Sequence, residues 1–175
     1  MKNQFLRPVV VLVSICLVIS AALALTNSLT APIIEAAAQD AATEAQREML
    51  PDASGFTLIE SADLPDGVTE MYRADGGAGY VATVSAKGYA GDIDIICGID
   101  GEGNIVKTKT LSHSETSGVG SKITEPEFME QFVGKGEGLD GVEAISGATV
   151  SSEAYIGAIR SALAAYKTVE GSETN

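Results

Sequence analysis

Apolar and polar positions divide this chain into parts with different periods. From Pro8 to Leu25 no residue carries a charge, and the apolar run continues to Ala31. A charge-free apolar stretch of about 18 residues or more has the length of a bilayer-spanning helix. Ile33 to Leu50 is rich in Ala, Glu and Gln. That composition favours a second stretch of helix, and Pro51 stops it. Beyond Gly55 the pattern changes. Val68–Arg73, Gly79–Ala86, Asp92–Ile99 and Ile105–Leu111 read as strands. Between them lie Gly76-Gly77, Lys87-Gly88 and Asp100–Asn104, which are turn chemistry. Asp92-Ile93-Asp94-Ile95 alternates, so Ile93 and Ile95 should face a core. Connections this short hold no crossover helix, and the strands should form an antiparallel meander.

Two helices follow. Glu125–Val133 reads as a short one, with Thr124 as its N-cap and Pro126 in its first turn. After the Gly-rich segment Gly134–Gly141, a longer one runs from about Ser152 to Tyr166. Tyr155, Ile156, Ile159, Leu163 and Tyr166 form an apolar stripe at helical spacing, which reads as ordinary core, and Glu153 falls in the first turn. The expected fold is α+β, an antiparallel sheet with packed helices, preceded by one N-terminal transmembrane helix. The expected segments are an N-terminus at 1–7, an anchor at 8–27, a helical stalk at 28–54, a folded domain at 55–167 and a flexible tail at 168–175.

Charge adds orientation. Lys2 and Arg7 precede the apolar run, and Glu35 is the first acid. The positive-inside rule then puts the N-terminus in the cytoplasm and the folded domain outside it, in a single-pass arrangement. Ala22-Leu23-Ala24 leaves a cleaved signal peptide open as the rival, and that reading also exports the domain. The chain has 24 acidic and 11 basic residues and a formal charge of −13. Because two of the basic residues precede the anchor, the exported part is more acidic still. Such a domain does not seek nucleic acid or anionic lipid. Cys16 lies in the apolar run and Cys97 in a strand pattern, where it reads as a small buried hydrophobe, so no disulfide framework is expected. A single His and the absence of CxxC and HExxH patterns leave no expected metal site. No Rossmann glycine pattern follows a strand, which argues against a dinucleotide site.

The most distinctive stretch is Ser146-Gly147-Ala148-Thr149-Val150-Ser151-Ser152. Small residues before a helix let a phosphate approach the free N–H groups and positive dipole end of the first turn. Thr149 adds a hydroxyl, which can be esterified by phosphate. On the residues alone the run is also readable as a plain helix N-cap. A second constellation is His113-Ser114-Glu115-Thr116-Ser117-Gly118-Val119-Gly120. Alone, it reads as a polar loop with turn glycines.

Together the two stretches resemble the FMN-binding domain family. Ser-Gly-Ala-Thr resembles the attachment motif in which FMN is joined to the last Thr through a phosphoester. His113 to Gly120 resembles the family's His-x-Glu-Thr-Pro-Gly-Leu-Gly segment. Lys87-Gly88-Tyr89-Ala90-Gly91 resembles its Gly-Tyr-x-Gly segment. The three occur in the family's order, and the likeness covers about residues 28–167. The stalk ending in Leu50-Pro51-Asp52-Ala53 looks most like the G subunit of Rnf-type ion-translocating electron transport complexes. Three positions depart from the pattern: Ser117 stands for Pro, Val119 for Leu and Glu143 for Asp.

The resemblance implies an electron-carrying redox subunit without independent catalytic activity. It implies FMN attached covalently to Thr149, with Ser146, Gly147, Ala148 and Val150 shaping the phosphate seat. His113, Glu115, Thr116 and Gly118 would line the flavin. The implied partners are the other membrane subunits of the complex and, during maturation, a Mg-dependent FMN transferase that uses FAD. A stand-alone anchored flavoprotein and a non-redox anchored binding module remain as alternatives.

Overall fold

The computed structural model describes residues 2–60 and 64–173. Met1 of the expected N-terminal segment and Thr174–Asn175 of the expected tail lie outside the described residues, as do the side chains of Lys2 and Arg7. The chain forms two compact units, Met1–Ala42 and Thr43–Asn175.

Helix α1 (Lys2–Met49) is continuous over 48 residues. Its Pro8–Ala31 part spans 24 residues and holds an 18-residue window with a mean hydropathy of 2.8. Such a helix is about 36 Å long at 1.5 Å per residue, enough to cross a hydrocarbon layer of about 30 Å. Among the described residues it is the one helix long and apolar enough to do so. The hydroxyls of Thr26 and Thr30 donate to the carbonyls of Ala22 and Thr26, four residues earlier, so these polar groups are satisfied inside the helix.

The second unit is built on a five-stranded antiparallel sheet in sequence order, as the short connections require. The strands are β1 (Phe56–Leu58), β2 (Val68–Ala74), β3 (Gly79–Lys87), β4 (Asp92–Ile99) and β5 (Ile105–His113). The expected α+β class is observed. β1 was not expected, because three residues are too few to show an alternation. It pairs with the end of β2, Phe56 opposite Ala74. β3 and β4 pair without interruption from Tyr80↔Ile99 to Lys87↔Asp92.

Helix α2 (Pro126–Met129) and helix α3 (Thr149–Glu173) complete the unit. One sheet face carries Ile93, Ile95, Cys97 and Ile99 of β4, all fully buried with the α3 stripe Tyr155, Ile156, Ile159, Leu163 and Tyr166. The alternation at Ile93 and Ile95 therefore points as expected, and Cys97 is a core residue. Phe128, Phe132 and Tyr155 meet in the same core, their ring centroids 5.3–5.4 Å apart. The opposite face carries Ala74, Val81 and Ile96, packed with Met49 and Leu50 at the end of α1. Glu48 beside them pairs with Lys107, at 3.0 Å, and with Lys109 on β5.

Several local expectations need correction. The segment Glu125–Val133 is not one α-helix: α2 has four residues, and a tighter 3₁₀ turn, Glu130–Phe132, follows it. Pro126 does open α2, but Thr124 does not cap it. Its hydroxyl donates to the Ser121 carbonyl at 2.8 Å, a local bond that wins over the cap. α3 starts at Thr149, not Ser152, so Glu153 lies beyond the first turn, which holds no acid. It also runs past Tyr166 to Glu173, because Val169 is buried and carries the stripe one turn further.

Candidate functional site

Ile145 to Ser152 folds as a tight turn followed by a helix start. The Ala148 N–H donates to the Ile145 carbonyl at 2.9 Å. Between them Gly147 has φ +84, a left-handed conformation that glycine adopts without strain. The Ser152 N–H donates to the Ala148 carbonyl at 2.9 Å, the first i to i+4 bond of α3. The residue ahead of the helix is thus Ala148, whose methyl cannot accept a hydrogen bond. The hydroxyl that comes closest to a local cap is that of Ser152, which receives the Ile145 N–H at 3.1 Å and donates to the Ala148 carbonyl. Thr149 is the first helical residue and its side chain is exposed. The first-turn N–H groups have no intrahelical acceptors and lie at the positive end of a 25-residue helix.

These residues form one wall of an open cleft of about 510 Å³, lined by Gly147, Ala148, Thr149, Val150 and Ser151. The volume lies within the usual range for small-molecule sites. Glu115, Thr116, Val119 and Gly120 form the second wall, and Tyr89 stands at the edge. Tyr89, Val119 and Val150 are 74, 47 and 52 % exposed, so the lining of the cleft presents apolar surface to solvent.

Glu115 holds the walls together. It is only 8 % exposed. The Ser151 hydroxyl donates to Glu115 Oε2 at 2.6 Å, and the Ala90 N–H donates to Oε1 at 3.1 Å. One carboxylate therefore ties the Gly88–Gly91 turn and the first turn of α3 to the loop after β5. Burial by itself pushes the Glu115 carboxyl upward. The Ser151 hydroxyl and the Ala90, Gly91 and Tyr89 amides outweigh it, and the group sits below the usual carboxylate range. The fit is tight: a Cβ on Gly120 would lie 2.5 Å from Glu115 Oε2.

Of the residues singled out in the sequence, Gly147, Ala148, Thr149, Val150, Glu115 and Thr116 meet at the cleft. Ser146, His113 and Gly118 do not line it. Ser146 belongs to the turn before Gly147. His113 Nδ1 accepts the Glu115 N–H at 3.1 Å and so shapes the loop. Gly118 has φ +78 and donates its N–H to the Ser121 hydroxyl at 2.9 Å. Tyr89, Val119, Gly120 and Ser151 also line the cleft; the sequence motifs contain them, but no site role was expected of them. An aromatic between two glycines was the available signal for Tyr89. Ser151 gave none, because its role needs Glu115, 36 positions away.

The FMN-binding domain family matches residues 88–164, which includes both walls of the cleft and most of α3. Across nearly the whole chain there is a fuller likeness. The G subunit of the ion-translocating oxidoreductase complex of Methanosarcina acetivorans is 32 % identical over 187 positions, 97 % of this chain and 98 % of that one. This chain belongs to the family of G subunits of ion-translocating oxidoreductase complexes. The G subunit of the Na⁺-translocating ferredoxin:NAD⁺ oxidoreductase complex of Acetobacterium woodii is 30 % identical, over 90 % of this chain and 89 % of that one. The G subunit of the proton-translocating ferredoxin:NAD⁺ oxidoreductase complex of Clostridium ljungdahlii is 23 % identical, over 89 and 88 %. A likeness over 97 % of the chain takes in both the apolar N-terminal helix and the cleft.

Proposed function

We propose that this chain is the electron-carrying flavoprotein subunit of a membrane-bound, ion-translocating electron transport complex, with FMN joined through a phosphoester to Thr149. The observation that carries the reading is the exposed Thr149 hydroxyl at the first position of α3, beside uncapped N–H groups and a cleft of cofactor size. Membership of the G-subunit family supplies the setting.

The residues fit the group. The Gly147 turn leaves room for a phosphate, and the Thr149, Val150 and Ser151 N–H groups offer it donors. Tyr89, Val119 and Val150 offer apolar surface to a flat ring. Ser146, His113 and Gly118 act at a distance, by shaping the turns that carry those groups. When bound, FMN supplies one- and two-electron chemistry, and the chain supplies position and electrostatics.

Attachment requires an FMN transferase and FAD. The Thr149 hydroxyl oxygen bonds to the flavin-side phosphorus, the pyrophosphate bond breaks, AMP leaves, and the hydroxyl proton is released. Glu143, where related motifs carry Asp, is exposed and available to that enzyme. The N-terminus is assigned to the cytoplasm and the domain to the outer side, where a covalent tether prevents loss of the cofactor. A single span forms no ion pathway, so ion movement belongs to the other subunits, and no independent catalysis is assigned to this one.

The test is the intact mass of the protein co-expressed with its transferase, with flavin fluorescence in a denaturing gel. A gain of one FMN less one water, on the peptide carrying Thr149, is expected. No gain, with the transferase active on another substrate, refutes the attachment.

A further inference from the structure

Glu115 is unlike the other acids of this domain. It is buried, it lines the cleft, and its two oxygens are held by groups from two separate elements. We propose that Glu115 is a fixed negative charge that lowers the reduction potential of the flavin, and that Ser151 is the positioning residue that holds it there. The inference rests on the proposed FMN attachment and adds a role for two residues within that site.

The argument is electrostatic. Adding an electron to a group near a fixed anion is less favourable than adding it near a neutral one. Glu115 is only 8 % exposed, and the field of a buried charge is weakly screened. An exposed acid at the same distance would be screened by water and salt. The carboxylate has no freedom to turn away, because the Ser151 hydroxyl holds Oε2 at 2.6 Å and the Ala90 amide holds Oε1 at 3.1 Å. Ionisation is secured by the same donors. Among the described residues, no lysine or arginine lines the cleft to cancel the charge.

The two residues have expected effects of one sign and different size. Glu115→Gln keeps the size and one accepting oxygen but removes the charge, so the potential should rise. Ser151→Ala keeps the charge but frees the carboxylate to turn toward water, where its field is screened, so at pH 8 the potential should rise by less. A purely structural brace predicts no shift in potential from either.

The experiment uses the full-length protein, co-expressed with its FMN transferase and purified in detergent. Covalent loading is read first, by mass, and the midpoint potential next, by spectroelectrochemical titration. The expected result for Glu115→Gln is a tenfold or greater gain in the reduction equilibrium constant, about 30 mV for a two-electron couple. An unchanged or lowered potential in loaded Glu115→Gln overturns the inference and leaves the attachment standing. If that variant does not fold, Ser151→Ala decides alone: a rise supports the inference, and a fall or no change overturns it. Wild-type protein that carries no covalent flavin refutes the attachment itself, and the inference falls with it.

Discussion

Thr149→Ala separates the two readings of the Ser146–Ser152 stretch by the sign of a stability change. If Thr149 were a helix cap, its removal would cost about 0.5–2 kcal/mol. The structure puts Thr149 inside the first turn instead, with an exposed side chain, and Ala148 ahead of it. At such a position Ala is a better helix former than Thr by up to about 0.7 kcal/mol. For a domain of this size 1 kcal/mol moves Tm by about 4 °C. Expected for Thr149→Ala is therefore a rise of up to about 3 °C, where the cap reading gives a fall of about 2–8 °C.

The assay is thermal unfolding of flavin-free protein, made without the transferase so that cofactor binding contributes nothing. The same variant made with the transferase should carry no covalent flavin, whereas Thr149→Ser, which keeps a hydroxyl, should carry some. A Tm loss of several degrees in the flavin-free protein would show that the hydroxyl caps α3. Covalent flavin on a folded Thr149→Ala protein would show that the attachment lies elsewhere.

Three further outcomes follow from the packing and the charges. Ile159→Ala removes a fully buried side chain from the middle of α3 and should destabilise the domain by about 2–5 kcal/mol in urea unfolding. Thr108→Val should be neutral or stabilising by up to about 1 kcal/mol in the same assay, because the buried Thr108 hydroxyl, beside those of Thr110 and Tyr155, has no hydrogen bond of good geometry. Glu115 has a folded-state pKa below its unfolded value of 4.5, so the stability it contributes is present above pH 4.5 and is lost as pH falls through the folded value. The stability difference between wild type and Glu115→Gln should accordingly shrink as thermal unfolding is followed from pH 7 down to below pH 4.

Periodicity made four of the five strands readable, because each connection was short and marked by Gly, Asp or Asn. It failed where packing decides. Val169 alone extends α3 past the apparent polar boundary, and one apolar residue among polar ones is no signal in a sequence. Thr124 was readable as a cap only while its competing bond to Ser121 was invisible. The candidate site divides in the same way. Gly147, Ala148 and Thr149 were legible because a turn and a helix start are local. Ser151 was not, since its meaning lies in a bond to a residue on another element.

That division bears on how the site keeps its shape. The wall that begins with Thr149 is continuous with the helix whose Tyr155, Ile159 and Leu163 fill the core, so it cannot shift without repacking that core. The opposite wall is loop, from Ser114 to Val119, and has no helix or strand of its own to hold it. Glu115 is the point at which the loop is fastened to the helix, and Ser151 is the fastening atom's partner on the rigid side. A covalent tether at Thr149 would hold the cofactor however the loop moved. It would not orient it. On the proposed attachment, therefore, retention and orientation are separable tasks: Thr149 performs the first, and the Glu115–Ser151 contact governs the second. Loss of Ser151 should then loosen the cleft without releasing flavin, a combination that neither a noncovalent site nor a mere helix cap would produce.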